Sequence, residues 1–165
     1  MRPAPGLPIE QQPPGVVARL ALCGEARGEQ DAAGTLEAVA MAAVYWVGLN
    51  RIALRRNRGK SIGDVFLEPW QFSCFNTNDP NRAKLLDLWK TDPVSWERAD
   101  TVADLAERGL LHDPTFGSTH YCTANLWGLP TPEGAAVQWF HASEIQAGRT
   151  KEKARIGGHV FGVAP

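Results

Sequence analysis

The hydrophobic residues of this chain recur mostly at intervals of three and four, which is the spacing of one face of an α-helix. From 16 to 27 that face carries Val17, Leu20 and Ala21, so the pattern predicts a first helix there. A second run predicts a helix from Asp31, its N-cap, to Leu49. Its apolar face is rich in alanine and valine, so we expect it to be the buried central helix.

Two later helices are predicted from a shared start, an Asp followed by a Pro. The pairs are Asp79-Pro80 and Asp92-Pro93, in which Asp caps the helix and Pro takes its first position. The second of these helices is expected to end at Gly109. The first is expected to point its large apolar residues inward, namely Leu85, Leu86 and Trp89.

The pattern changes after Asp113. Residues 118–122 and 156–163 are predicted to be two short strands that pair with each other. The stretch 123–148 between them is a long loop rich in Pro, Gly and Trp, and loops of this length are often functional. We therefore expect a mostly α-helical α+β domain with a small antiparallel β-sheet over 15–165, preceded by a flexible Pro-rich arm over 1–14.

Composition narrows the function classes. A chain of 165 residues suits one domain, and 17 basic against 18 acidic residues give no broad positive field, which disfavours nucleic-acid binding. Three cysteines without a CxxC pair argue against a disulfide framework and fit a reducing compartment. Neither a signal peptide nor a membrane span is predicted. The basic stretch 51–60 is expected to be solvated surface, the alternative being a contact with an anionic polymer.

The stretch Gly24-Glu25-Ala26-Arg27-Gly28-Glu29 holds the main candidate for chemistry. Glu25 falls on or beside the apolar face of the first helix and in its last turn. Partial burial and the negative end of the helix dipole both favour a neutral carboxyl, which can serve as a general acid. The alternative is a solvated glutamate or a salt-bridge partner.

Six blocks of sequence, in order, resemble the cell-wall hydrolase family typified by the spore-cortex lytic enzyme SleB. The resemblance extends from about Leu20 to Phe161. The blocks are Gly24 to Glu29, the helix ending in Leu49-Asn50-Arg51, Gln71 to Cys74, Asp113-Pro114-Thr115, Thr119-His120-Tyr121, and Ile156 to Phe161. The chain departs from the family pattern at 30–34, where the usual Pro-containing connection is missing, and in the longer 123–148 loop.

The resemblance implies a lysozyme-like or lytic-transglycosylase-like domain that cleaves peptidoglycan glycan strands without a cofactor or metal. Its single catalytic glutamate would be Glu25, protonating the bond between N-acetylmuramic acid and N-acetylglucosamine. The ionised residue would then help the muramoyl 6-hydroxyl to attack its own anomeric carbon. Because we expect Glu29 to be structural or electrostatic, transglycosylation is favoured over muramidase hydrolysis, which needs a second carboxylate.

Further site residues are expected in the 118–122 strand and in the segment before the helix that starts at Asp79-Pro80. The substrate-binding candidates are Gln71, Ser73, His120 and Tyr121, with Phe72 beside them as packing. Tyr121 and Glu29 are possible auxiliary catalytic groups. Asn50 is expected to cap the central helix, and His159 to pair with backbone or with a carboxylate.

Two other functions stay open. One is a zinc amidase that cuts the muramoyl-alanine bond, with ligands drawn from Cys74, His112, His120, Cys122 and His141. The other is a wall-binding module whose tryptophans grip sugars without cutting. With no export signal predicted, we expect a monomeric phage or prophage endolysin that waits in the cytoplasm until a holin opens the membrane, and then acts on peptidoglycan in the periplasm.

Overall fold

The computed structural model describes residues 1–29 and 35–164. The helices are α1 (Pro14–Ala26), α2 (Thr35–Ile52), α3 (Ile62–Phe66), α4 (Leu88–Thr91), α5 (Pro93–Glu107) and α6 (Ala142–Gln146). The strands are β1 (His120–Thr123), β2 (Lys151–Ile156) and β3 (His159–Val163). None of these helices combines the length and the apolar character that crossing a membrane requires.

Helices α1, α2 and α5 pack against one another and enclose the core. Alpha1 begins at Pro14, where a missing N–H is harmless, and nearly its whole length is buried. Alpha2 contributes Met41, Val44, Tyr45 and Val47, each at most 2% exposed. The predicted first helix is confirmed to within two residues at each end. The predicted start of the second at Asp31 lies outside the described residues, and its end is Ile52 rather than Leu49.

The sheet has the order β1-β3-β2, and both pairs are antiparallel. Tyr121 faces Phe161 across the first pair, and Phe161 belongs to the core. The expected α+β class with a small antiparallel sheet is thus confirmed. Gly157, with φ +56°, and Gly158 form the turn between β2 and β3.

The sequence interpretation was wrong about the last strand. Residues 156–163 are not one strand: Ile156 ends β2, and β3 starts at His159 after the turn. Beta2 was missed because its sequence, Lys-Glu-Lys-Ala-Arg-Ile, is mostly charged. It lies at the edge of the sheet with three exposed residues at its start, so it carries no hydrophobic alternation. The 123–148 loop also contains α6.

The prediction of an α-helix starting at Pro80 was wrong as well. Asp79 accepts a hydrogen bond from the amide of Asn81, only two residues on, and so forms a turn rather than a helix cap. A 3-10 helix follows over Arg82–Asp87 and leads into α4. The predicted start of α5 is confirmed, since Asp92 accepts from the amide of Ser95 and Pro93 comes first.

The first fourteen residues lie against the domain, although the sequence predicted a flexible arm. Ile9 is 3% exposed, in a 3-10 helix over Ile9–Gln11. The terminal ammonium of Met1 lies 3.0 Å from Asp100, and the indole of Trp96 donates to the Met1 carbonyl at 3.2 Å. An apolar residue and a charged terminus therefore attach a segment that its prolines alone would leave extended.

The ion pair between Glu37 and Arg98 connects α2 to α5. Glu37 is fully buried, and Nη1 of Arg98 lies 2.6 Å from its Oε2. We expect Arg98→Ala to lower the free energy of unfolding by about 3 kcal/mol, because it leaves a buried carboxylate without this partner. Chemical denaturation measures the change. The control is Arg108→Ala, which removes an exposed pair with Asp104 and should cost about 0.3 kcal/mol; equal effects would contradict the prediction.

Candidate active site

Glu25 lies in the last turn of α1, next to its final residue Ala26, and both of its carboxylate oxygens are hydrogen-bonded. The hydroxyl of Ser73 and the amide of Cys74 donate to Oε1, at 3.1 and 2.8 Å. The hydroxyl of Tyr121 donates to Oε2 at 2.7 Å. Three separate parts of the chain, α1, the 73–75 turn and β1, thus meet at one half-buried carboxylate.

The 73–75 turn reaches Glu25 because Gly24 has no side chain. A Cβ atom at Gly24 would lie 2.5 Å from the Cβ of Cys74 and 2.7 Å from its sulfur. Only glycine permits this approach, which sets the amide of Cys74 against Glu25. Burial raises the pKa of the Cys74 thiol far above its ordinary value, and the charge of Glu25 adds to the effect, so this cysteine is not a nucleophile.

Tyr121 is held by aromatic neighbours. Its ring stacks on Phe161 with centroids 5.6 Å apart and lies 6.0 Å from Phe72. Burial raises the pKa of Tyr121 well above its ordinary value, and the charge of Glu25 and the hydrogen bond to it raise it further. The hydroxyl therefore stays neutral, and a neutral hydroxyl can donate to a carboxylate or accept from a carboxyl.

Glu25 opens into a cleft of about 620 Å³, here called the Glu25 cleft. Among the described residues that line it, Glu25 is the only carboxylate. Trp70 stands at its rim with 75% of its surface exposed and with φ +64°, a conformation that tryptophan rarely adopts. The remaining lining is mostly polar or aromatic and includes Gln71, Thr123, Leu126, Gln138, Trp139, Phe140 and His159.

Arg51 and Arg56 bring positive charge to the cleft, where the sequence predicted solvated surface. Arg51 is 3% exposed; its Nε donates to the carbonyl of Thr119 at 2.6 Å, and its guanidinium lies 4.9 Å from the centre of the Phe72 ring. Burial lowers the pKa of His120 to about 4, and both arginines contribute. His120 is therefore a neutral imidazole at neutral pH.

Glu29 does not line the cleft. Its Oε2 accepts from the amide of Gly158 at 3.0 Å, and its Oε1 lies 3.1 Å from Nδ1 of His159. Both oxygens thus face the turn between β2 and β3. His159, expected to pair with backbone or a carboxylate, has Glu29 as its neighbour and lines the Glu25 cleft.

The other predicted residues fall in different places. Gln71, Ser73, His120 and Tyr121 all line the cleft. Phe72 is 1% exposed and packs edge-on against Phe66 at 4.5 Å, which fits packing rather than contact with a ligand. The prediction that Asn50 caps the central helix was wrong, because Asn50 lies inside α2, two residues before its end at Ile52. Its amide donates instead to Asp113 and to the carbonyl of Ser118, both at 3.0 Å.

The residues proposed for a zinc site do not assemble. Over 1–29 and 35–164, no group of three or more His, Cys, Asp or Glu residues is arranged to hold a metal ion. Nδ1 of His141 accepts from the amide of Gln138 and lies 3.0 Å from the Thr131 hydroxyl. Nδ1 of His120 lies 2.9 Å from the hydroxyl of Thr119. Nδ1 of each of these two histidines therefore already has a polar neighbour within the protein.

Sequence reasoning did not name Trp70 or Arg51 as individual site residues. Trp70 does belong to the 68–75 segment, whose alternating aromatic and hydrogen-bonding side chains suit either a wall that binds a ligand or anchors that pack the loop onto the core. Trp70 comes directly before the Gln71 to Cys74 block. Its exposure depends on a left-handed backbone conformation, which cannot be predicted for a tryptophan from the sequence. Arg51 looks like one member of a basic run. The structure extends α2 to Ile52, so Arg51 falls in its last turn, where its side chain is buried.

Comparison with known proteins gives a family and a fold. The sequence model of a family described as Cell Wall Hydrolase matches residues 37–162, which include the cleft residues from Arg51 to His159. A search of curated protein sequences gave no match.

Two solved structures are similar over nearly the whole chain. The catalytic domain of the Bacillus cereus SleB protein matches with a TM-score of 0.51 and 19% identity, over 96% of this chain and 93% of that one. The catalytic domain of the germination-specific lytic transglycosylase SleB from Bacillus anthracis matches with a TM-score of 0.51 and 22% identity, over 96% and 98%. These matches confirm the predicted lysozyme-like fold.

Gly24 offers a test of the local geometry. We expect Gly24→Ala to lower the free energy of unfolding by about 1–3 kcal/mol, because the added methyl group overlaps Cys74 and forces the 73–75 turn away. Denaturant unfolding measures the loss. Gly15→Ala is the control in the same helix: its methyl would meet only the ends of long side chains, at 3.3 Å, so stability should change little. If the two variants are equally stable, the close approach is not a constraint.

Proposed function

Since this chain belongs to the cell wall hydrolase family, as its motifs predicted, and is therefore a peptidoglycan-degrading enzyme, we propose that it is a lytic transglycosylase. It would cleave the glycan strand between N-acetylmuramic acid and N-acetylglucosamine, with Glu25 as the catalytic residue. The observation that carries the proposal is that Glu25 is the only carboxylate among the described residues lining the cleft. Hydrolysis by the usual retaining or inverting routes uses two carboxylates.

The surroundings of Glu25 suit a group that changes charge during the reaction. As a neutral acid it gives its proton to the glycosidic oxygen, and the bond to the anomeric carbon breaks. The carboxylate that remains receives hydrogen bonds from Ser73, Cys74 and Tyr121. These donors are in place beforehand, so the negative charge is stabilised as it forms. The hydroxyls of Ser73 and Tyr121 can also accept, so the same site accommodates the neutral acid.

The ring-closing step needs no water. The muramoyl 6-hydroxyl attacks its own anomeric carbon, while the charged carboxylate of Glu25 stabilises positive charge on the sugar. The product carries a 1,6-anhydromuramoyl end. Among the described residues, Glu29 is held by the turn between β2 and β3, which supports a structural or electrostatic role rather than that of a second cleft carboxylate.

The endolysin role, with holin-dependent access to the wall and action as a monomer, stays a prediction from the sequence. So does the cytoplasmic location before lysis. The zinc amidase and the wall-binding module remain as alternatives. Analysis of the reaction products distinguishes both of them from a lytic transglycosylase.

Glu25→Gln tests the assignment of the acid. We expect release of soluble fragments from purified sacculi to fall by about 10²–10⁴-fold, because an amide is far too weak an acid to protonate the glycosidic oxygen. Mass spectrometry of the wild-type fragments should show anhydromuramoyl ends. Glu97→Gln, which changes an exposed carboxylate on α5, is the control and should keep full activity.

Three outcomes would contradict this account. Reducing muramoyl ends would indicate a muramidase, and free stem peptides with intact glycan would indicate an amidase. Binding to sacculi without any release by the wild-type protein would indicate a wall-binding module.

Trp70 tests whether the cleft binds sugar rings. A flat indole stacks well on the face of a sugar ring. We therefore expect Trp70→Ala to raise KM by about tenfold, which corresponds to about 1.4 kcal/mol of binding free energy, while kcat changes less than threefold. Phe116→Ala is a matched control: Phe116 is 72% exposed and also has a positive φ, +54°, but it does not line the cleft. Equal KM values for the two variants would contradict a role of Trp70 in binding.

A further inference from the structure

Two arginines, Arg51 and Arg56, line the Glu25 cleft together. Burial lowers the pKa of Arg51, and the positive charge of Arg56 lowers it further. The two guanidinium groups are therefore close enough to repel each other. Both remain charged at neutral pH, because a guanidinium does not lose its proton in a protein.

The charge of these two arginines is not neutralised by an ion pair within residues 1–29 and 35–164. Glu68, whose charge reaches Arg51, is paired with Lys60. Nη1 of Arg51 is buried and has no hydrogen-bond partner among the described residues, although buried donors usually have one. In the proposed reaction Glu25 enters as the neutral acid, so the cleft is positively charged when the substrate arrives. Such a cleft attracts an anionic ligand.

The backbone that carries Arg56 is held against the end of α2. Arg56 lies in a 3-10 helix over Arg55–Asn57. Asn57 is 1% exposed, and its side-chain amide donates to the carbonyl of Arg51 at 2.8 Å. This hydrogen bond fixes the position of the short helix relative to Arg51. The exposed side chain of Arg56 therefore extends from a fixed backbone.

A second cavity, of about 200 Å³, adjoins the Glu25 cleft and is called the side cavity here. Arg56 and His120 line both of them. His120 directly precedes Tyr121, whose hydroxyl donates to Glu25, so the side cavity begins one residue along β1 from a partner of the catalytic group. The rest of its lining is Leu54, Arg55 and Ala164. A cleft with a basic side cavity suits a polymer with acidic branches, and peptidoglycan branches at the lactyl group of its muramoyl sugars.

Resting on the proposed function, which places a glycan strand in the cleft, we propose that Arg56 binds a carboxylate on the lactyl branch of a muramoyl sugar. Arg51 adds its fixed charge beside it. The carboxylate belongs to the peptide stem or, where the peptide has been removed, to the lactyl group itself. A guanidinium suits this ligand, because its two parallel N–H donors match the two oxygens of a carboxylate. The contact contributes to substrate binding and takes no part in bond cleavage.

Soluble, uncrosslinked glycan strands in four forms test the proposal. Two forms are acidic: strands that carry their peptides, and strands stripped of peptide by an amidase. The other two are the same strands after their carboxylates have been converted to neutral methylamides. We expect Arg56→Gln to raise KM by about tenfold on an acidic form, with kcat within about threefold of wild type. On the matching methylamide form, the KM values of the variant and the wild type should be equal within about twofold.

The two acidic forms identify the source of the carboxylate. A rise in KM on the peptide-bearing strands assigns the contact to the peptide stem. A rise on the stripped strands assigns it to the lactyl carboxylate. Either result supports the proposal.

Arg58→Gln is the matched control, because Arg58 is an exposed arginine two residues further on and lines neither the cleft nor the side cavity. Its KM should stay within about twofold of wild type on all four forms. Both arginines are exposed, so the thermal midpoints of both variants should lie within about 4 °C of wild type. If Arg58→Gln raises KM on the acidic strands as much as Arg56→Gln does, only the general charge of the segment matters and the proposal is overturned.

Two further results would overturn the proposal. One is a KM of Arg56→Gln within twofold of wild type on both acidic forms, and the other is an equal rise on an acidic form and its methylamide. If the wild-type protein meanwhile produces anhydromuramoyl ends, the proposed function stands without this contact. Reducing ends would overturn the transglycosylase and leave the carboxylate contact to the KM comparison. A wild-type protein that cleaves none of the strands would overturn both.

Discussion

The three hydrogen bonds into the carboxylate of Glu25 are the constraint on which the rest of the site depends. They require α1 to end where it does, the 73–75 turn to touch that helix, and β1 to lie across from both. Each condition has its own physical cause. The turn can touch the helix because Gly24 has no side chain, and the strand is held by its antiparallel pairing with β3.

Aromatic packing carries this arrangement from the core to the cleft. Phe66 packs on Phe72, Phe72 lies against Tyr121, and Tyr121 stacks on Phe161. The buried guanidinium of Arg51 covers the Phe72 ring and anchors the chain just before β1. A substitution at Phe66, Phe72 or Phe161 is therefore expected to shift the Tyr121 hydroxyl, although none of these three residues lines the cleft. The same row places His159 against Tyr121, so the two sides of the cleft are coupled through one ring.

Much of the fold could be predicted because its signals are local. Residues that are neighbours in sequence suffice to predict three of the elements. These are α1 from its periodicity, the start of α5 from Asp92-Pro93, and β3 from its apolar residues. The edge strand β2 and the 3-10 helix after Asp79 were missed for the opposite reason. A charged edge strand carries no pattern, and the choice between capping a helix and closing a turn depends on contacts made elsewhere in the chain.

The site was predicted in part. Glu25, Ser73 and Tyr121 were singled out, mainly through the motifs they belong to, and the structure brings them together. The positions of Trp70 and Arg51 depend on a strained backbone and on burial at a helix end, neither of which a single sequence states. The role of Glu25 in catalysis is a proposal that rests on this geometry and on the resemblance.

The most direct test of the central claim is to find where the oxygen on the anomeric carbon of each new muramoyl end comes from. Peptidoglycan is digested with the wild-type protein in water enriched in the heavy isotope of oxygen, and the new muramoyl ends are weighed by mass spectrometry. A cleft with one catalytic carboxylate, in which the sugar's own 6-hydroxyl attacks, predicts anhydromuramoyl ends that contain no heavy oxygen. Heavy oxygen at the anomeric carbon would show that water attacks, and would contradict the account.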